Sequence, residues 1–242
     1  MRRFFYNQPN LLQVGSTVPL TEDIFHHWCK VLRASMDEQA LFFDGQGGEY
    51  TVTLTDITKK QALVTINDFN PINRALPFTV NIALVMSRGE RMDYAIQKAT
   101  ELGVTTIQLL TSERCEMRLK YDRDQKKLDH WQSVAIAACE QCGMNIVPNV
   151  LAPISLTDWV KSAQLPQSRF VLAPNKDQEN VVLNSQPDLA LLIGPEGGLS
   201  EAEIETANQN HFQSWCIGDR VLRTETAPVV ALSILNYHFS AK

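Results

Sequence analysis

The sequence predicts an α/β chain, a parallel sheet with helices on both faces preceded by a small β-rich domain. Three observations carry this. After Pro77, short apolar runs alternate with amphipathic helical stretches, the pattern of a parallel sheet. Before about Asn70, apolar residues alternate between Gly-rich turns, as in hairpins of a small barrel. Between the two, residues 70–77 bracket polar side chains with Pro71 and Pro77 and read as a linker. The expected division is a β-barrel domain over 1–70 and an α/β domain over 74–242. A chain of 242 residues, 44% hydrophobic and 20% charged, is long enough to give a sizeable core.

The elements follow in order. Thr21 is placed to cap a first helix with Ile24, Trp28, Val31 and Leu32 on one face. Residues 41–43, then Tyr50, Val52 and Leu54 alternating with threonines, then 62–66, read as antiparallel strands. The turn Gly45-Gln46-Gly47-Gly48 leads into a strand, so it fails as a dinucleotide loop, which must open a helix. In the second domain, strands are expected at 80–86, 107–110, 169–173, 189–193 and 214–217. A helix over 91–102 ends at Gly103, a suitable C′ residue. Another carries Leu128, Trp131, Ala135, Ala138 and Cys142 on one face. Ser200 and Glu203 form a capping box, with Leu199 and Ile204 as a hydrophobic staple. A last helix covers 227–239, with Thr226 as its N-cap and Pro228 in its first turn.

Composition narrows the function classes. No run of 18 apolar residues occurs, so no transmembrane helix is expected. The start, MRRFFYNQPN, lacks the apolar core of a signal peptide, which leaves the cytoplasm as the expected compartment. Five scattered cysteines do not suggest a disulfide framework. The net charge is −5, but its distribution is uneven. Residues 1–36 carry four basic and two acidic side chains, and residues 71–128 carry ten and seven. A local basic patch for RNA and an ordinary mixed surface both fit this pattern.

Two loops stand out. Gly194-Pro195-Glu196-Gly197-Gly198 follows a buried strand and precedes a capped helix, where open α/β sheets bind ligands. It is neither a P-loop nor GxGxxG, and Glu196 would repel a phosphate. It is either a site where a neutral or cationic group meets the main chain, or a tight strand–helix turn. The stretch Ile217-Gly218-Asp219-Arg220-Val221-Leu222-Arg223-Thr224-Glu225-Thr226-Ala227 is a second strand end. It is either part of the same site or an ion-paired capping network. Cys139 and Cys142 have CxxC spacing. A zinc ribbon needs a second pair, and a thioredoxin-like motif opens a helix where this one closes it. His26 and His27, adjacent on a helix, point about 100° apart and are poor co-ligands. No metal is expected.

Several stretches together are specific. Arg88-Gly89-Glu90-Arg91-Met92, residues 97–104, Ser112-Glu113-Arg114, Glu140-Gln141-Cys142-Gly143, GPEGG and Leu222-Arg223-Thr224-Glu225-Thr226-Ala227 occur in that order. Arg3-Phe4-Phe5, His26-His27 with Val31-Leu32-Arg33, and residues 43–50 precede them. The chain resembles, over nearly its whole length, the RsmE family of bacterial 16S ribosomal RNA uracil-N3 methyltransferases, in the SPOUT or α/β-knot superfamily. The resemblance implies a PUA-like RNA-binding barrel, a trefoil-knotted methyltransferase domain and a homodimer acting on 16S rRNA in the 30S subunit. It implies S-adenosylmethionine held near Ala173, Pro174, Ile193, Gly194, Pro195, Glu196, Gly197, Gly198, Ile217, Gly218, Val221, Leu222, Thr224, Thr226 and Ala227. In that frame Arg223, or Arg114 from a partner subunit, stabilises the uracil anion, and Glu225 takes the N3 proton. Arg2, Arg3, Arg33, Arg88 and Arg91 are the expected phosphate contacts. The chain departs from the family at Met144 and Ile146, where basic residues are common, which weakens any RNA contact carried by that helix end.

Overall fold

Alternation in the first seventy residues becomes a five-stranded sheet in the computed structural model, which describes residues 1–115, 121–173 and 188–240. The strands are β1 (Arg2–Phe5), β2 (Thr17–Pro19), β3 (Gln39–Phe43), β4 (Glu49–Ile57) and β5 (Ala62–Asn70), in the order β1-β3-β4-β5-β2. The pairings β3–β4, β4–β5 and β2–β5 are antiparallel, but β1 runs parallel to β3, so the domain is not made of hairpins alone. Phe4 on one edge and Val18 on the other enter one core with Phe42, Val52, Leu54, Val64 and Ile66. A flat sheet cannot bring both edges to one core; this one curls, helped by register shifts at Thr51/Val52 and Leu54/Asp56.

The first helix differs from the expected one. Glu22–Ile24 is a short α turn, α1, that passes into a π-helix over Phe25–Val31. Thr21 makes no side-chain cap bond. Wider winding advances the face, so Ile24 and Trp28 stay buried while Val31 and Leu32 turn outward, to 56% and 37% exposure.

This unit comprises Met1–Ala75 together with Cys139–Val147, a return of the chain that the 1–70 boundary does not include. Phe5 N–H donates to Glu140 Oε1 at 2.9 Å, and Asn145 Nδ2 donates to the Ile72 carbonyl at 2.7 Å. At its centre Glu49, 3% exposed, accepts from Arg3 Nη1 at 2.5 Å and from Arg74 Nε at 2.8 Å.

The second unit comprises Leu76–Ala138 and Pro148–Lys242. Its strands are β6 (Thr79–Val85), β7 (Thr106–Thr111), β8 (Asn149–Ser155), β9 (Ser168–Leu172), β10 (Asp188–Ile193) and β11 (Gln213–Trp215). They form one parallel sheet in the order β11-β9-β10-β6-β7-β8. Helices are α2 (Glu90–Glu101), α3 (Tyr121–Cys142), α4 (Leu156–Val160), α5 (Glu201–Gln209) and α6 (Ala227–Ser240). Alternate residues of β6 serve two cores. Val80, Ile82 and Leu84 pack with residues of α2, α3 and α6; Ala83 and Val85 pack with those of α4 and α5. That is the double covering expected of near-continuous apolar strands.

Helix α2 ends in a Schellman motif, with Gly103 N–H on the Thr100 carbonyl (2.9 Å) and Val104 N–H on the Ala99 carbonyl (3.1 Å). In α3 Trp131, Ala135 and Ala138 are buried as expected, but Cys142 is exposed and Cys139 is the buried cysteine. Burial pushes the Cys139 thiol up to about 12, so it is no thiolate at neutral pH. Thiol labelling of the native protein at pH 8 is therefore expected to modify Cys142 and spare Cys139, which mass spectrometry reads directly; rapid labelling of Cys139 would contradict its burial. The implied knot is a matter of threading, and residues 174–187, between β9 and β10, lie outside the described ones.

Candidate active site

Strands β9, β10 and β11 are parallel neighbours, so their carboxyl ends open at one edge of the sheet. The chain leaves β10 towards α5 on one face and leaves the adjacent β6 towards α2 on the other. Diverging connections of that kind leave a crevice. Beside it, on the other side of the loop after β10, a cavity of about 550 Å³ opens at the ends of β9, β10 and β11.

Its floor is the loop after β10. A Cβ on Gly194 would lie 2.9 Å from Leu199 Cγ and 3.2 Å from Leu199 N, so the backbone closes on itself only without a side chain. Gly198, at φ +67°, donates its N–H to the Pro195 carbonyl at 2.8 Å and closes the turn. Leu199 and Ile204 both line the cavity and pack on the core below it, while Ser200 and Glu203 form the full reciprocal capping box of α5.

Glu196 lines the cavity and pairs with Arg91. Burial raises its carboxyl pKa, but its own backbone N–H and the Arg91 guanidinium outweigh this and hold it below the ordinary value. The carboxylate is thus charged and already partnered. Gly197 faces the other way: its carbonyl accepts from Arg114 Nη1 at 3.0 Å. Arg114 therefore reaches this loop from its own chain. The loop separates the cavity from the strand ends of β6 and β7, where Arg88, Arg91 and Arg114 are exposed.

The second wall is the stretch after β11. Thr226 and Ala227 N–H groups both donate to the Arg223 carbonyl, at 2.9 and 3.0 Å, and start α6. Arg223 is 80% exposed and its Nη1 lies 4.0 Å from Glu225 Oε1. Glu225 is 15% exposed, and its Oε2 is buried with no hydrogen-bond partner among the described residues. One long pair is not an ion-paired capping network. The stretch holds a carboxylate and a guanidinium with capacity to spare.

Of the expected cofactor residues, Ala173, Ile193, Gly194, Pro195, Glu196, Gly198, Ile217, Gly218, Val221, Leu222, Thr224 and Ala227 line the cavity. Gly197 and Thr226 lie in the same loops without lining it, and Pro174 is outside the described residues. The expected set lacks Leu172, Leu199, Ile204, Trp215, Cys216, Asp219 and Arg220, which also form the wall. Asp219 and Arg220 lie within the polar stretch that the sequence marks; the others carry only a core or staple signal. Mostly backbone and apolar surface, with two acids, Glu196 and Asp219, against one base, Arg220, this wall suits a largely uncharged or cationic molecule and not a polyphosphate.

The remaining arginines divide. Arg33 is exposed, at φ +53°, and Arg2 pairs with Glu38 at 2.9 Å near the surface. Arg3 does not present its guanidinium to solvent: it is 11% exposed, bound to Glu49 and stacked 5.1 Å over the Phe43 ring. Its place as a phosphate contact is corrected accordingly. Lys30, on the π-helix next to the exposed Val31, donates to the Lys59 carbonyl at 3.0 Å. Among the described residues no group of three or more His, Cys, Asp or Glu is placed to hold a metal ion, and no helix is long and apolar enough to cross a membrane.

Comparison with known proteins agrees with this geometry. A family model for an RNA methyltransferase domain matches residues 74–236, and one for an RNA methyltransferase PUA domain matches residues 20–67. Ribosomal RNA small subunit methyltransferase E of Buchnera aphidicola subsp. Schizaphis graminum is 32% identical over 232 residues, 94% of this chain and 93% of that protein. Its counterpart in Bacillus subtilis is 29% identical over 247 residues, 98% and 96% of the two chains. A solved structure of a methyltransferase from Legionella pneumophila with bound SAM is 36% identical, with a TM-score of 0.90 over 98% of this chain and 97% of that one. Ribosomal RNA small subunit methyltransferase E from Neisseria gonorrhoeae bound to S-adenosyl methionine is 34% identical, with a TM-score of 0.89 over 99% and 98%.

Proposed function

This chain belongs to the RNA methyltransferase family, and we propose that it transfers a methyl group from S-adenosyl-L-methionine to N3 of a specific uridine in 16S rRNA of the 30S subunit. The observation that carries this reading is the glycine-walled cavity at the ends of β9, β10 and β11, with Arg223, Glu225 and Arg114 in the loops around it. When bound there, S-adenosylmethionine supplies a methyl group on a cationic sulfonium.

The protein's own groups do the rest. Backbone around Gly194–Gly198 and Ile217–Gly218 holds the adenosine and leaves it no charged partner to compete with. Arg91 balances Glu196, so that carboxylate offers the sulfonium side a neutralised edge. The uridine N3 proton must leave before or during attack. Glu225, with one unpartnered oxygen, accepts it; Arg223 stabilises the charge left on the uracil. Arg114, fixed on the Gly197 carbonyl, is a second cation at the acceptor. Holding the two reactants in register supplies most of the acceleration. The uridine must be unstacked from its neighbours to reach the site. Arg2, Arg33, Arg88 and Arg91 contact RNA phosphates, which makes binding fall steeply with salt.

The protein works as a cytoplasmic homodimer. Helix α6 supports the pairing: it is apolar nearly all round, yet leaves Ile234 38% and Tyr237 80% exposed.

Arg223→Ala is the direct test of the anion-stabilising role. Because the side chain is 80% exposed, the fold should be unaffected. The turnover number is expected to fall about 100-fold, the scale of a lost oxyanion partner, with donor affinity by calorimetry within about twofold. Full turnover in this variant would remove Arg223 from the mechanism.

A further inference from the structure

Glu203 is the third residue of α5 and spends its two carboxylate oxygens on two different parts of the chain. Oε2 accepts from Ser200 N–H at 2.9 Å, its half of the capping box. Oε1 accepts from Glu113 N–H at 2.8 Å, ninety residues away in the loop after β7. A capping box needs only the first of these. The next residue in that loop is Arg114, whose Nη1 donates to the Gly197 carbonyl at 3.0 Å. The loop is therefore held at two consecutive residues, Glu113 on the Glu203 side chain of α5 and Arg114 on the Gly197 carbonyl of the 194–198 loop. The loop is also held at Cys115, whose Sγ donates to the Met86 carbonyl at 3.3 Å, while the Ser112 hydroxyl is buried with no hydrogen-bond partner among the described residues.

We propose that Glu203 is a positioning residue for methyl transfer: it fastens the 112–115 loop to the start of α5, directly after the methyl-donor loop, and so sets where the Arg114 guanidinium stands against the acceptor. This rests on the reading of Arg114 as a cation at the acceptor. The physical argument is one of register. A guanidinium on a long side chain is useful only if its backbone root is fixed, and a displacement of about 1 Å at a catalytic group costs on the order of 100-fold in rate. Carboxylate is the right group, because it alone among side chains presents two strong acceptors to two N–H groups at once. An amide offers a single acceptor oxygen, so Glu203→Gln must abandon one of the two bonds.

The test compares Glu203→Gln, Ser200→Ala and Arg114→Ala, with the double variant Glu203→Gln/Arg114→Ala, in the full-length protein with small ribosomal subunits as substrate. Ser200→Ala removes the cap hydroxyl but leaves both bonds to Glu203 oxygens, so it should lower Tm and keep kcat within about twofold. Glu203→Gln should lower kcat about 10-fold, with KM for subunits and Kd for S-adenosylmethionine within about twofold. In the Arg114→Ala background the same change should have no further effect on kcat, because the group it positions is gone. Amide exchange over 112–115 should quicken in Glu203→Gln and not in Ser200→Ala, a readout independent of activity. Unchanged kcat in Glu203→Gln, an equal loss in Ser200→Ala, or a full additional loss in the double variant each overturns the proposal. Loss in Arg114→Ala with none in Glu203→Gln overturns it alone; full turnover in Arg114→Ala overturns it together with the acceptor role of Arg114.

Discussion

Gly194→Ala should weaken S-adenosylmethionine binding at least 100-fold while the protein remains folded. The added Cβ would stand 2.9 Å from Leu199 Cγ and 3.2 Å from Leu199 N. A new Leu199 rotamer relieves the side-chain contact only by leaving the cavity wall and its packing beside Ile204 on the core below. The contact with N cannot be relieved by any rotamer, because it is backbone. The backbone must shift by a few tenths of an ångström, and Pro195, Glu196 and Gly198, which wall the cavity, shift with it. A loss of 100-fold corresponds to about 2.8 kcal/mol, an ordinary cost for a strained loop. Gly197→Ala is the matched control. Its Cβ would meet Arg114 Cβ at 3.6 Å and Cδ at 3.7 Å, ordinary contact distances, and Gly197 does not line the cavity. Calorimetry should find its affinity within about threefold of the unaltered protein, on the scale of a new ordinary van der Waals contact. Equal affinities for Gly194→Ala and Gly197→Ala would mean that the 194–198 loop does not floor the donor site.

Glu49→Gln should destabilise the first unit by about 3–5 kcal/mol, the cost of breaking a buried ion pair by removing one partner. Arg3 is 11% exposed and Glu49 is the carboxylate bound to it, so the amide takes the hydrogen-bonded counter-charge from an enclosed guanidinium. Arg74, 42% exposed, can find water; Arg3 cannot. The pH dependence carries a sign. Burial raises the Glu49 carboxyl pKa, but hydrogen bonds and charge from Arg74 and Arg3 outweigh it and hold it below its ordinary value of 4.5. A lowered folded value means that the group's stabilisation is present above pH 4.5 and is lost as pH falls through the folded value. Urea unfolding at stepped pH should therefore show the gap between the two proteins wide at pH 7 and narrowing below pH 4.5. A gap that widens on acidification would contradict the pairing.

How much of this was legible in the sequence depends on the range over which each feature acts. The parallel sheet and its strands at 80–86, 107–110 and 189–193 are legible because buried strands are apolar at every position. Strand β8 is not: as an edge strand it exposes Leu151 and Ile154 and contains Pro153, so it reads as loop. The π-helix is invisible to a search at helical period, because one extra residue in the winding leaves the pattern up to Trp28 intact and spoils it only after. The spacing in α3 similarly chose Cys142 over Cys139, although the helix ends at Gly143 and its last turn follows a different neighbour. Around the site, glycines and capping residues mark the two loops locally, and those loops do meet. What joins them to their surroundings is not local. Arg3 with Glu49, Arg91 with Glu196, Arg114 with Gly197 and Glu113 with Glu203 are separated by 46, 105, 83 and 90 residues. No periodicity reports such pairs; only the fold brings them together.

The central claim is that this protein methylates N3 of a uridine in 16S rRNA. The most direct measurement incubates it with methyl-labelled S-adenosylmethionine and small ribosomal subunits lacking the modification, digests the RNA and identifies the labelled nucleoside by mass spectrometry. Label in 3-methyluridine, absent from the Arg223→Ala reaction on the same timescale, is the predicted result. Label in a ribose 2′-O-methylated nucleoside would keep the fold and the methyl donor but contradict the acceptor. No label and no binding of S-adenosylmethionine would contradict catalysis itself and point to a protein that binds ribosomes without modifying them.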